Sequence, residues 1–221
     1  MYFDPSLNFK YHVNYLTKKL SSALFFIRAS KNFLTPKALK AFYYSLFQSH
    51  LIYGIQSWSS ASQDSINKIY KLQKKAIRLI NNAAYNAHTE PLFKSSKILP
   101  LPNLIEFFLL QLMQQYVQGF LPKQFNNLWI TNQARLNIFS NGQHRFTLRN
   151  SDDLYIPFCR LTSISKQPLF TIPKIWSELR QPELQIIREK IEFNFKLKEH
   201  FISKLSNEII CGRLLCPHCH L

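Results

Sequence analysis

Residues 63–81 carry a helical period regular enough to constrain the whole chain. At about 100° per residue, Ile66, Ile69, Tyr70, Ala76, Ile77 and Ile80 fall on one face, and Lys68, Lys71, Lys74, Lys75 and Arg78 fall on the opposite one. A strand, whose side chains alternate, would scatter each set over both faces. An amphipathic helix with Ser62 as its N-cap sorts them. Phe9 to Lys31 repeats the theme: Phe9, Val13, Leu16, Leu20, Ala23, Leu24 and Ile27 share one arc, and Lys10, Asn14, Lys18, Ser21 and Arg28 another. Thr35-Pro36 supplies an N-cap and a first-turn proline for the next helix. That helix continues from Ala38 to Phe47 through the aromatic cluster Phe42, Tyr43, Tyr44 and Phe47. Ser49 to Ser60 adds an apolar stretch with a kink at Gly54.

Beyond this, Pro91, Pro100 and Pro102 mark His88 to Pro102 as a connector. Pro102 opens an apolar helix to about Phe120, ended by Gly119 and Pro122. Residues 121–175 read as loop-rich, with one or two minor strands at most. Pro182 to Asn207 reads as a final charged helix with Ile186, Ile187, Ile191, Phe195 and Phe201 as its apolar positions. Only 4 glycines occur in 221 residues, too few for a β-rich fold with many tight turns. The expected fold is mainly α: a helical bundle over residues 1–90, then a helical and loop-rich region over 91–221.

Charge narrows the partner. Lys+Arg number 28 against 12 Asp+Glu, a net +16. Residues 1–100 hold 14 basic and 3 acidic side chains, net +11; residues 101–221 hold 14 and 9, net +5. Such an excess points to a polyanion, nucleic acid first and anionic membrane second. The 19 Phe and 10 Tyr exclude a disordered basic tail. The strongest apolar runs, Leu51 to Trp58 and Leu104 to Met113, are well short of the roughly 20 residues that span a bilayer. The start of the chain lacks the basic and apolar regions of a signal peptide, so an intracellular protein is expected. Four cysteines are too sparse for a disulfide framework.

Four blocks resemble the region after the palm in reverse transcriptases of non-LTR (LINE-type, jockey-like) retrotransposons. Asp4-Pro5-Ser6-Leu7-Asn8-Phe9-Lys10-Tyr11-His12-Val13 resembles the lead D-x-x-L-x-F-x-x-H-I into the thumb. Ala41 to Leu46, with Ser49 to Ile55 and Trp58, resembles L-Y-x-S-L-x-x-P-x-L-x-Y-G-x-x-x-W-G. Leu72-Gln73-Lys74-Lys75-Ala76-Ile77-Arg78 is similar to L-Q-K/R-K/R-A-x-R. Pro173 to Leu179, followed by Phe195-Lys196 and Lys198, resembles G-P-x-x-W-N-x-L-P and F-K-x-x-L-K. Ser49-His50, Ser59 and Ser177 depart from the usual residues. The resemblance covers residues 4–205. It implies a polymerase thumb that grips an RNA–DNA or DNA duplex during target-primed reverse transcription, next to a palm and fingers domain, in the nucleus. The palm motif F/Y-x-D-D is not in residues 1–221, because Asp152-Asp153 follows Ser151 and lies downstream of the thumb blocks. The two Mg²⁺ of polymerisation would belong to that missing palm, so this chain is expected to be the tail of a longer polymerase and not catalytic alone.

The leading candidate contacts are Lys68, Lys71, Lys74, Lys75 and Arg78, one basic face that can track phosphates without reading sequence. Lys10, Lys18 and Arg28 form a second basic face, to be weighed against an ordinary solvated one. Tyr43, Tyr44, Tyr53 and Trp58 can stack on bases, but aromatics at helical spacing are more often core. Gly54 is expected to let two helices approach closely, and Trp176 to anchor a core. Near the C-terminus, Cys211, Cys216, Cys219 and His220 form a possible zinc-binding set. Cys216-x-x-Cys219 is a proper half-site, but zinc is usually held by two well-separated pairs. Cys159 stands alone. No Ser/His/Asp set or carboxylate pair supports hydrolysis. Two other readings stay open: a protein-interaction module docking through apolar helix faces, and a peripheral protein on anionic lipid.

Overall fold

The computed structural model describes residues 1–5, 7–139, 151–179, 187 and 189–205, and these are mainly helical. Two compact units form: unit 1 is Met1–Ile105 with the described residues from Leu197 onward, and unit 2 is Glu106–Lys196.

Unit 1 begins with α1, Lys10–Ser30. Asp4 is buried ahead of it, Oδ1 accepting from Asn8 N (2.8 Å) in the lead-in and Oδ2 from Lys10 N (3.1 Å), the first amide of the helix. Every apolar position expected on this helix is buried. Next come α2 (Pro36–Phe42), a π-helical segment (Tyr43–Gln48), α3 (Ser49–Ile52) and α4 (Ile55–Trp58). The Thr35 side chain caps α2 by accepting from Ala38 N (3.3 Å). The break after α3 is at Gly54, whose φ of 62° is the left-handed region that favours glycine. A Cβ there would come within 3.0 Å of Met1 Sδ, so the close approach is to a side chain and not, as expected, to a second helix. Trp58 is fully buried and closes this turn, Nε1 donating to Tyr53 O (3.1 Å).

Helix α5, Gln63–Ile80, packs against α1. Ser62 caps it, accepting from Ser65 N (3.4 Å). At its far end Asn82 takes φ 51°, and the amides of Asn82 and Ala83 donate to Leu79 O and Arg78 O. This reversed pair is a Schellman ending, with asparagine where glycine is commonest.

The expected connector from His88 to Pro102 is in part a helix, α6, Glu90–Ser96. Pro91 sits in its first turn, where a missing N–H costs nothing. Phe93, Ile98, Leu99 and Leu101 are buried, so the chain stays with the first bundle past residue 90, and the unit boundary falls after Ile105. Asn81 and Ser96 exchange hydrogen bonds (2.8 and 3.0 Å), tying the end of α5 to the end of α6.

Helix α7, Leu101–Val117, ends short of the expected Phe120, with its stop at the expected Gly119. Gly119 takes φ 73°, with Gly119 N donating to Tyr116 O and Phe120 N to Gln115 O. Unit 2 also holds a 3₁₀ turn (Lys123–Phe125), α8 (Asn132–Phe139), α9 (Thr162–Ser165) and α10 (Pro168–Glu178). The expected minor strands reduce to one isolated bridge among the described residues, Thr131 with Leu154. Segments read as loops fold as α8 and α10 instead. Pro173 lies inside α10, where its ring removes the hydrogen bond to Leu169 O. That carbonyl accepts instead from Trp129 Nε1 (3.1 Å). The Tyr116 hydroxyl in turn donates to Trp129 O (2.7 Å) and accepts from Trp129 N (3.3 Å).

The last described helix, α11, is Lys190–Lys204. Its buried residues are Phe193, Leu197 and Phe201, spaced by four. Ile191 and Phe195, expected on the apolar face, are 84% and 63% exposed. The residue type alone misassigned the face, because only Phe201 of the expected set lies on the i, i+4 row that packs. Ile187 is half-buried, and Ile186 lies outside the described residues. Trp176 is only half-buried, its ring 6.5 Å from that of Phe193.

Candidate nucleic-acid interface

The core face of α5 explains where its basic face points. Ile66, Ile69, Ala76, Ile77 and Ile80 are buried, and with them Gln73, fully enclosed. Gln73 Nε2 donates to Tyr43 Oη (3.0 Å) and Leu99 O (2.9 Å), and its Oε1 accepts from Leu101 N (2.7 Å). Leu101 N is one of the orphan amides at the start of α7, so a single side chain joins α5, the π segment and α7. Burial pushes the Tyr43 hydroxyl well above the usual phenol range, which keeps it protonated for this network. Tyr43 and Trp58 are thus core and have no face for a base. Tyr44 and Tyr53 keep part of their rings in solvent.

The five basic residues of α5 differ among themselves. Lys68 and Lys71 are exposed; Lys74, Lys75 and Arg78 are half-buried. Lys74 Nζ lies 4.3 Å from the centroid of the Tyr70 ring, a cation–π contact. Arg78 Nε donates to Ala87 O (2.9 Å) and so holds the loop after α5, using one of its five donors. From Lys68 to Ile80 the helix carries no carboxylate. Lys10, Lys18 and Arg28 are exposed on α1, as expected, and Tyr11, Phe25 and Phe26 are exposed beside them. Each basic set lies away from its own helix's core face.

The 3 acidic residues of the first 100 share one role. Asp4 binds the first amide of α1, Asp64 lies in the first turn of α5, and Glu90 in that of α6. Helix N-termini carry partial positive charge, and carboxylates there are stabilising. The acids of this region therefore sit at helix starts, and the Lys68–Ile80 stretch of α5 is left basic.

One basic group escaped the sequence. Lys198 on α11 is half-buried, and burial first, then the charges of Lys40 and Lys97, hold its ammonium below the ordinary lysine range. Lys40 on α2 and Lys97 after α6, from distant stretches of chain, thus add their positive charge to the field at Lys198. No spacing along the sequence signals it, apart from the fourth family-like block, which contains Lys198.

Cys211, Cys216, Cys219 and His220 lie outside the described residues. Among the described residues no group of three or more His, Cys, Asp or Glu is placed to hold a metal ion. Cys159 is half-buried with its thiol 3.4 Å from Leu161 O. Among the described residues, no helix is long and apolar enough to cross a membrane.

No family model, curated protein or solved structure matches the chain.

Proposed function

We propose that this chain grips a nucleic-acid duplex through its phosphates, without reading sequence, as the thumb and C-terminal region of a non-LTR RNA-directed DNA polymerase. The observation that carries this reading is the α5 surface: Lys68, Lys71 and Lys75 on a stripe without carboxylates, behind a core face locked by Gln73. The 3 acids of the first 100 residues lie at or ahead of helix starts, outside the Lys68–Arg78 stretch. In this reading metal chemistry and bond formation belong to the palm, and the work is done on nuclear DNA. A thumb must slide over any duplex, and phosphate contacts that release counterions suit that need.

The test is salt dependence. Affinity for an RNA–DNA duplex and for a DNA duplex is measured from about 50 to 200 mM salt, the range over which counterion release is large. The triple variant Lys68→Glu, Lys71→Glu, Lys75→Glu is expected to reduce the log–log slope by about 0.9 for each phosphate that is no longer neutralised. A flat slope in the unmutated protein overturns the reading and favours a protein-docking module. Binding to anionic vesicles that duplex does not compete away favours the lipid surface.

A further inference from the structure

A pocket of about 520 Å³ opens in unit 1 on side chains other than the α5 stripe. Its size falls among small-ligand sites. His12, Tyr15 and Lys19 recur at i, i+3 and i+7 on α1, so one strip of the helix presents all three. His50 and Tyr53 at the end of α3, with Met1, Tyr2 and Leu16, complete the wall; among the described residues no carboxylate lines it. The three tyrosines are 53%, 42% and 60% exposed at Tyr2, Tyr15 and Tyr53. Tyr2 and Tyr15 meet edge to face at 5.0 Å, and Lys19 Nζ lies 5.6 Å from the Tyr15 ring centroid.

His12 is the unusual member. It is 3% exposed, and neither ring nitrogen has a hydrogen-bond partner among the described residues. A buried polar group without a partner is destabilising; both nitrogens are closed to solvent, so the ring gains a partner only by turning toward the pocket that it lines. Burial also pushes the imidazole below its ordinary pKa. A neutral ring carries one donor and one acceptor, which matches the mixed edge of a nucleobase better than a bare anion.

Aromatic faces, a cation, a neutral imidazole and no acid together describe a receptor for a base with its phosphate. We propose that this pocket binds one unpaired nucleotide, its base stacked on Tyr15 or Tyr53 with an edge toward His12, and its phosphate held by Lys19. The chemistry is the same for a free nucleotide and for one within a single strand.

The full chain is titrated with a labelled oligothymidylate by fluorescence anisotropy, with thymidine 5′-monophosphate as competitor. Tyr15→Ala and Tyr53→Ala are each expected to weaken oligonucleotide binding about tenfold, within the range for loss of one stacked base. Lys19→Gln, on an exposed side chain, is expected to weaken it by a smaller factor. Circular dichroism melts check that each variant is folded. Displacement by the monophosphate shows that a free nucleotide suffices; variant-sensitive binding without displacement assigns the site to a nucleotide within a strand. No binding of the oligonucleotide, or affinity within twofold of the parent in all three variants, overturns the proposal. Blunt-duplex affinity is expected to stay unchanged in these variants, so the pocket and the α5 stripe succeed or fail separately.

Discussion

Unit 1 and unit 2 each contain a helix with an unmet backbone group, and they meet the need differently. In unit 1 the Leu101 amide, orphaned at the start of α7, is taken by Gln73, which also binds Leu99 O and Tyr43 Oη. In unit 2 the Leu169 carbonyl, freed by Pro173, is taken by the single indole N–H of Trp129. The first solution concentrates three buried hydrogen bonds in one polar side chain, and the second adds one bond to an apolar anchor. The units also place their acids differently. In unit 1 Asp4, Asp64 and Glu90 lie at or ahead of helix starts and Glu199 lies within α11, whereas in unit 2 Glu192 pairs with Lys196 at 2.7 Å along the same helix. The lesson is that surface charge depends on what the acids are doing, and net charge alone does not reveal it.

The sharpest way to break this comparison is Gln73→Leu. It fits the space but leaves Leu101 N, Leu99 O and Tyr43 Oη without partners, and about 3 kcal/mol of destabilisation is expected from the cost of unmet buried groups. Urea unfolding checks it; a loss below about 1 kcal/mol would show that the clamp is not what joins α5 to α7.

An alkaline titration comes next. Burial raises Tyr43, and burial with the Glu90 charge pushes Tyr70 up to about 12, from an ordinary 10.0. Above pH 10 the unfolded chain releases these protons and the folded chain keeps them, so the unfolded state binds fewer protons and stability falls as pH rises. Each tyrosine contributes a loss of about 1 kcal/mol per pH unit in that window. Both residues are in unit 1, and the Tyr43→Phe, Tyr70→Phe double variant is expected to flatten the urea midpoint between about pH 10 and 11.

Trp129→Phe is the smallest expected effect. It keeps most of the apolar ring and removes only the donor to Leu169 O, for about 1 kcal/mol. If it matched Gln73→Leu in the same urea series, the contrast between a three-bond clamp and a one-bond patch would be gone.

Much of the local structure was legible in the sequence because helices are local. The periods of α1 and α5, the caps at Thr35 and Ser62 and the stop at Gly119 all depend on residues within a few positions of one another. Helix α6 was hidden by three prolines that look like punctuation, although Pro91 sits where a helix accepts one. Helix α10 was hidden by Pro173, whose freed carbonyl is taken by Trp129, some 40 positions away in the chain. In α11 the apolar residues outnumbered one face, and the chain alone did not say which row would be covered.

The sequence by itself determined a mainly helical protein with an excess of positive charge in its first 100 residues and a basic stripe on one helix. The periodicity and the residue counts are sufficient for that. Only the tertiary structure decided what each of those residues does. It committed Arg78 to a loop carbonyl, set Lys74 over a tyrosine ring and buried Gln73 as a clamp. It also half-buried Lys198 and left His12 enclosed beside an open pocket. Those outcomes depend on which distant backbone groups need partners and which surfaces are covered, and neither is written in the spacing of residues along one helix.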